Sequence, residues 1–310
     1  MSSFIDALRA SPHTAPIALD GGLGTRLATR GNDVSSELWS AEVLQHHPEE
    51  VLAAHYDFFR AGARVATTCS YQVSYEGFAR AGFSVAEVDR LLDLSVKLAQ
   101  QARTEAGLHA ENAWVLASVG PYGASLGDGS EYTGDYGPDY GVDALRKWHR
   151  ARLRRLAQAG ADALICETIP SLTEGRALAL ELDELQAPAI LSFTVDDGVL
   201  RSGESIVEAA RIAHRAENVI AVGVNCSDAL HATAALRQFR EETDLPLVVY
   251  PNSGEHWNAQ QRSWSGEAAT LEHRVDEWVS LGARLVGGCC RVDTEGIARL
   301  AAQLDSGANR

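Results

Sequence analysis

Five cysteines carry the first chemical signal in this 310-residue chain: Cys69, Cys166, Cys226 and the adjacent pair Cys289-Cys290. The pair follows Gly287-Gly288, and residues without side chains let a backbone bend and approach a neighbour closely. Once the chain has left a flat strand, Cys226, Cys289 and Cys290 can face one centre. Three thiolates suit zinc, with a fourth tetrahedral position open for substrate or water. A vicinal disulfide or an isolated buried pair fits the same spacing. Cys69 and Cys166 read differently. Cys69 lies between Thr68 and Ser70, and Cys166 precedes Glu167. Side chains alternate faces along a strand, so if the polar neighbours point inward the two cysteines pack outward as small hydrophobes.

Rival chemistries are thinly supplied. Seven of the ten histidines (His46, His47, His55, His149, His214, His231 and His273) fall in helical patterns, where a solvated face is expected, and only His256 lies in a strand-end loop. The two lysines, Lys97 and Lys147, also sit in helical patterns. Schiff-base chemistry in a barrel needs a lysine on a strand.

The elements that must position these groups alternate along the chain. Short apolar runs at 16–20, 64–70, 113–119, 161–167, 188–195, 219–226, 246–251 and 283–289 read as buried strands. Helical patterns fit 48–61, 84–106, 142–159, 171–186, 204–216, 228–241, 267–281 and 293–304. Pro48 suits a first helical position, and Ser84 with Glu87 makes a capping box. Glycines at 62, 160 and 282 suit helix termination in the left-handed region. Eight strands alternating with helices predict one (β/α)8 barrel domain over residues 1–310. The competing doubly wound sheet needs a dinucleotide fingerprint, but DGGLGTRL at 20–27 has Leu27 where the third glycine belongs. Barrel active sites gather at the C-terminal ends of the strands. There the sequence places Asp20, Thr68, Glu167 and all five cysteines, the cysteines all on even-numbered strands.

Composition narrows the partners. A net charge of −15 disfavours phosphate backbones and anionic lipid. The apolar runs are too short to span a bilayer, and MSSFIDALRA does not read as a signal peptide. Sparse cysteine suits a reducing cytoplasm. Small-molecule substrates and a monomer are the expectation. The loop at 118–141 is long for a compact domain, and its four tyrosines and several acids suggest a lid over a cationic or zwitterionic ligand. PNSGEHW at 251–257 is a second candidate wall.

The segments DGGLGTRLATRG (20–31), ELWSAEVL (37–44), SYQ (70–72), SVGPYGASLGDGSEYTGDY (118–136), CET (166–168), GVNC (223–226), VVYPNSGEHW (248–257) and ARLVGGCCR (283–291) together resemble the homocysteine S-methyltransferases. The resemblance is strongest to the branch using S-methylmethionine. It runs from the first strand to the last and implies a barrel that binds zinc through Cys226, Cys289 and Cys290. It also implies that Glu167 binds the homocysteine amino group, that Asp20 and Gly21 hold the amino acid, and that Ser40 and Thr68 contact its polar end. Betaine-using relatives carry a tyrosine where this chain has Ile169 and an aromatic donor contact where it has Gln72, which disfavours betaine.

The implied reaction is methyl transfer from S-methylmethionine or S-adenosylmethionine to homocysteine, forming methionine. Only a few percent of a free thiol is thiolate at neutral pH, and zinc coordination removes that limit. Alternatives are a selenocysteine or other thiol acceptor, a non-catalytic zinc-thiolate redox sensor, and a phosphate-ligand barrel using the strand-eight glycines.

Overall fold

The computed structural model describes residues 3–10, 16–34, 40–258, 263–266 and 268–307. Of the ELWSAEVL segment, Glu37, Leu38 and Trp39 lie outside the described residues. Eight parallel strands form the sheet: β1 (Ile17–Ala18), β2 (Val65–Thr67), β3 (Trp114–Val119), β4 (Ala163–Ile169), β5 (Ala189–Phe193), β6 (Val219–Asn225), β7 (Leu247–Tyr250) and β8 (Ala283–Val286). Each pairs with its sequence neighbours, and the circle closes where β1 meets β8 through Ile17–Leu285 and meets β2 through the Leu19–Val65 bridge. The result is the expected (β/α)8 barrel.

The two faces of the strands separate into two apolar layers. Ile17, Leu19, Val65, Leu116, Ile165, Ile190, Val248 and Leu285 fill the barrel interior. Phe4 and Leu8, from the short helix α1 (Phe4–Leu8), join that cluster, and the Phe4 ring meets Trp114 at 5.7 Å. Val115, Ala117, Leu164, Leu191, Val222 and Val249 face the helices instead. Successive residues therefore serve opposite cores, as strand geometry demands.

The helices follow the apolar periodicity. In order they are α2 (Leu23–Thr29), α3 (Ser40–His46), α4 (Pro48–Arg60), α5 (Tyr75–Arg80), α6 (Val85–Glu105), α7 (Val142–Gln158), α8 (Leu172–Leu185), α9 (Ile206–Arg215), α10 (Ala229–Glu242), α11 (Val275–Ser280) and α12 (Thr294–Gly307). The Ser84–Glu87 capping box forms, and Gly62, Gly160 and Gly282 take φ of 110°, 91° and 98°. None of the described helices is long and apolar enough to cross a membrane.

Three sequence expectations change. The 267–281 helix shrinks to a 3-10 turn (Glu272–Arg274) and α11, because the Ala269 amide donates to the Ser253 carbonyl at 2.6 Å, tying that stretch to a strand-end loop. A short hairpin at 195–200 and an antiparallel pairing of 256–258 with 263–265 add walls beyond β5 and β7. His55 and His149 are fully buried rather than solvated. His55 lies on the inner stripe of α4 with Val51, Ala54 and Phe58, and burial depresses its pKa to about 4.

Candidate active site

The three cysteines singled out by spacing do meet. The Cys226, Cys289 and Cys290 sulfurs all lie within 4.8 Å of one another, and Cys226 Sγ is 3.7 Å from Cys290 Sγ. That separation is far beyond the ~2.05 Å of a disulfide, and all five cysteines are free. Hydrogen bonds from Cys289 and Cys290 hold the Cys226 thiol well below the usual thiol range, while the other two are pushed up. Cys69 and Cys166 join the layer between sheet and helices, and burial pushes each up to about 12. They are structural, as alternation along the strand implies.

The backbone around the trio is bent and pinned. Thr168, Cys226 and Arg291 adopt positive φ of 59°, 51° and 65°, a region costly for residues with a Cβ and concentrated at functional sites. Asn225, the residue before Cys226, holds the first of them through its side chain. Its Oδ1 accepts from the Thr168 amide and the Ser192 hydroxyl, both at 2.8 Å, and its Nδ2 donates to Thr168 Oγ1 at 2.8 Å. The cysteine pair is anchored by the loop after β7. The Cys289 amide donates to the Pro251 carbonyl at 2.8 Å, and the Cys290 amide donates to Asn252 Oδ1 at 3.1 Å. At Gly22 a Cβ would come within 2.6 Å of the Cys289 carbonyl, so a side chain there would push the cysteine turn outward.

Two carboxyl groups occupy the same mouth. Asp20, 1% exposed, accepts from the Thr67 amide at 2.8 Å and the Thr67 hydroxyl at 3.1 Å, and burial pushes its pKa well up. Glu167 accepts from the Ser118 hydroxyl, and burial raises its pKa to about 7. The buried Tyr250 hydroxyl faces Glu167 and Ser192 without a well-formed hydrogen bond to either. Thr68 contributes to the frame: its hydroxyl lies 2.7 Å from that of Ser70 and accepts from the Ser118 amide at 3.0 Å. Ser40 opens α3, and its carbonyl accepts from the Cys69 thiol at 3.3 Å. Gly21 is buried against Val292 and Phe58.

The loop after β3 is more structured than a lid of four tyrosines. Tyr122, Tyr136 and Tyr140 pack with Trp148 and Leu145 of α7, away from the thiols. They are held by Glu174 of α8, which accepts from the Tyr122 amide at 2.6 Å and the Tyr136 hydroxyl at 2.7 Å and lies 2.8 Å from His149 Nε2. Arg152 of α7 donates to the Gly120 carbonyl. Only Tyr132 turns inward, its hydroxyl 3.4 Å from Cys226 Sγ. Sequence reasoning had Tyr132 only as one of four loop tyrosines and Asn225 only as part of GVNC, and missed Thr67 and the Glu174–His149–Arg152 group. The spacing of His149 and Arg152, three apart on one helix face, was an available signal.

A family model described as homocysteine S-methyltransferase matches residues 17–304. The homocysteine S-methyltransferase of Escherichia coli strain K12 is 44% identical over 297 residues, covering 93% of this chain and 94% of that protein. The homocysteine S-methyltransferase YbgG of Bacillus subtilis strain 168 is 40% identical over 296 residues, covering 92% and 93%. Among solved structures, the metallated form of the Escherichia coli homocysteine methyltransferase MmuM superposes with a TM-score of 0.84 at 40% identity, covering 94% of this chain and 96% of that one. Family match, relatives and barrel coincide over nearly the whole length, and the chain belongs to the homocysteine S-methyltransferase family of methyl-transferring enzymes.

Proposed function

We propose that the protein transfers a methyl group from S-methylmethionine to the thiol of homocysteine, with zinc held by Cys226, Cys289 and Cys290. The carrying observation is the convergence of three sulfurs, that of Cys226 buried and those of Cys289 and Cys290 half-buried, with the buried carboxyl groups of Asp20 and Glu167 at one barrel mouth. The donor set fits the metal. Tetrahedral zinc with Zn–S bonds of ~2.3 Å places ligand sulfurs about 3.8 Å apart, against 3.7 Å between Cys226 and Cys290. When bound, zinc would supply Lewis acidity that keeps a ligated substrate thiol deprotonated at neutral pH.

The remaining work belongs to the chain. Ionised Glu167 accepts the homocysteine ammonium, and Asp20 with Gly21 closes around the amino-acid end, with Ser40 and Thr68 as further polar contacts. Burial of these groups excludes water. Attack of the homocysteine sulfur on the sulfonium methyl carbon forms one S–C bond while the donor S–C bond breaks. The bonding pair stays on the donor sulfur, so two neutral thioethers, both methionine, result. A cation and an anion disappear in this step, and a site closed to water favours it because solvent then stabilises neither ion. Orientation by Glu167 and Asp20 sets the in-line geometry.

The redox-sensor alternative leaves Asp20 and Glu167 without a task. The test is an assay with S-methylmethionine and S-adenosylmethionine as donors and homocysteine and selenocysteine as acceptors, run beside metal analysis. Methionine from S-methylmethionine and homocysteine, at about one zinc per chain, is expected. Absence of turnover with homocysteine would refute the reading.

A further inference from the structure

We propose that Glu131 and Arg201 form the subsite for the amino-acid end of the methyl donor, Glu131 accepting from its ammonium and Arg201 donating to its carboxylate. The inference rests on the donor being a sulfonium amino acid, as argued above. Glu131 follows Gly129 and Ser130 in the loop after β3, and its Oε2 is buried with no hydrogen-bond partner. Arg201 leaves the hairpin after β5. Its Nη1 donates to Asp196 at 2.9 Å, but its Nε is buried with no partner. Buried polar atoms are nearly always paired, and leaving a charged group unpaired away from water is costly. One unpartnered atom on each of two groups of opposite sign, Arg201 keeping its pair with Asp196, marks a place completed by a zwitterion.

Their setting places that zwitterion beside the reacting sulfur. Tyr132 is the residue after Glu131; the Arg201 guanidinium lies 5.7 Å from its ring centroid, and its hydroxyl reaches Cys226 at 3.4 Å. Cys226 is within electrostatic reach of both Glu131 and Arg201. The buried Tyr71 is within electrostatic reach of both this carboxylate and Glu167. A transfer between two amino acids needs two ammonium receptors at one centre. Glu167 with Asp20 serves homocysteine, and Glu131 serves the donor.

The experiment measures steady-state KM and kcat for wild type, Glu131→Gln and Arg201→Gln with three donors. These are S-methylmethionine, (3-carboxypropyl)dimethylsulfonium, which lacks the ammonium, and (3-aminopropyl)dimethylsulfonium, which lacks the carboxylate. A hydrogen bond to a charged group is worth tenfold or more in affinity, on the order of 10–100-fold. Glu131→Gln should raise the S-methylmethionine KM by about that factor and leave (3-carboxypropyl)dimethylsulfonium within about twofold. Arg201→Gln should weaken S-methylmethionine similarly and spare (3-aminopropyl)dimethylsulfonium. The homocysteine KM and the thermal midpoint should hold in both. Equal losses across all three donors, unchanged S-methylmethionine KM, or a rise in homocysteine KM instead would overturn the assignment while leaving the methyl-transfer reading intact. A wild type that makes no methionine from S-methylmethionine and homocysteine would overturn both.

Discussion

At the scale of single residues, the cysteines divide by the face of the strand they occupy. Cys226, Cys289 and Cys290 share one centre, whereas Cys69 and Cys166 are packing residues with thiols pushed up to about 12. Cys226→Ser or Cys289→Ser should therefore drop bound zinc toward zero and lower kcat/KM by on the order of 100-fold or more, with the circular dichroism spectrum preserved. Cys69→Ser should retain both metal and activity. Full zinc and full activity in Cys226→Ser would contradict the assignment. Glu167 adds a pH signature. Its pKa of about 7 means that below this the carboxyl is neutral and loses its attraction for the homocysteine ammonium. The homocysteine KM should gain about a further tenfold per pH unit below 7, on top of the slope that thiol deprotonation imposes. In Glu167→Ala the KM should be high and keep only the milder pH slope set by release of the homocysteine thiol proton, with zinc content unchanged.

Among the elements, the loop after β3 depends on α7 and α8 for its shape. Glu174 is fully buried and meets Tyr122, Tyr136 and His149 at once, so its removal strands three polar partners. Each buried group left unpaired costs about 1–3 kcal/mol. Glu174→Ala should lower unfolding free energy by about 3 kcal/mol and raise amide exchange across 120–140. It should also reduce kcat/KM by way of Tyr132, while bound zinc stays at the wild-type level. Protection of 120–140 equal to wild type would show that the loop is held by something else. Strand periodicity is the part of this scale most legible in the residues. All eight apolar runs became barrel strands, because burial on both faces demands continuous Val, Ile, Leu and Ala. The helix expected over 267–281 was less legible, since one backbone bond to Ser253 outweighed local pattern.

For the molecule as a whole, stability and function pull on buried titratable groups in opposite directions. His55 is neutral in the fold because burial holds its pKa near 4, against about 6.5 in an unfolded chain. Above 6.5 neither state is protonated and no cost arises. As pH falls from 6.5 toward 4 the unfolded chain takes up a proton that the native one refuses, so stability declines. The window is about 2.5 pH units, or roughly 3 kcal/mol at 1.36 kcal/mol per unit. The pKa of His149 is also lowered by burial and adds in the same direction. His55→Leu should flatten the decline in urea-unfolding free energy between pH 6.5 and 4.5, and an unchanged slope would place the acid sensitivity elsewhere.

The residues by themselves determined the barrel, the outward packing of Cys69 and Cys166, and the capacity of Cys226, Cys289 and Cys290 to share a centre. Each follows from local rules: strand alternation, helix caps, and active sites at strand C-termini. Tertiary structure alone decided which tyrosine of the long loop reaches the sulfur, and that Asn225 holds the left-handed Thr168. Those outcomes depend on contacts between segments far apart in the chain, as between Glu174 and Tyr136 or Tyr132 and Cys226. Without the periodicity of a strand or helix, a loop takes its course from such partners.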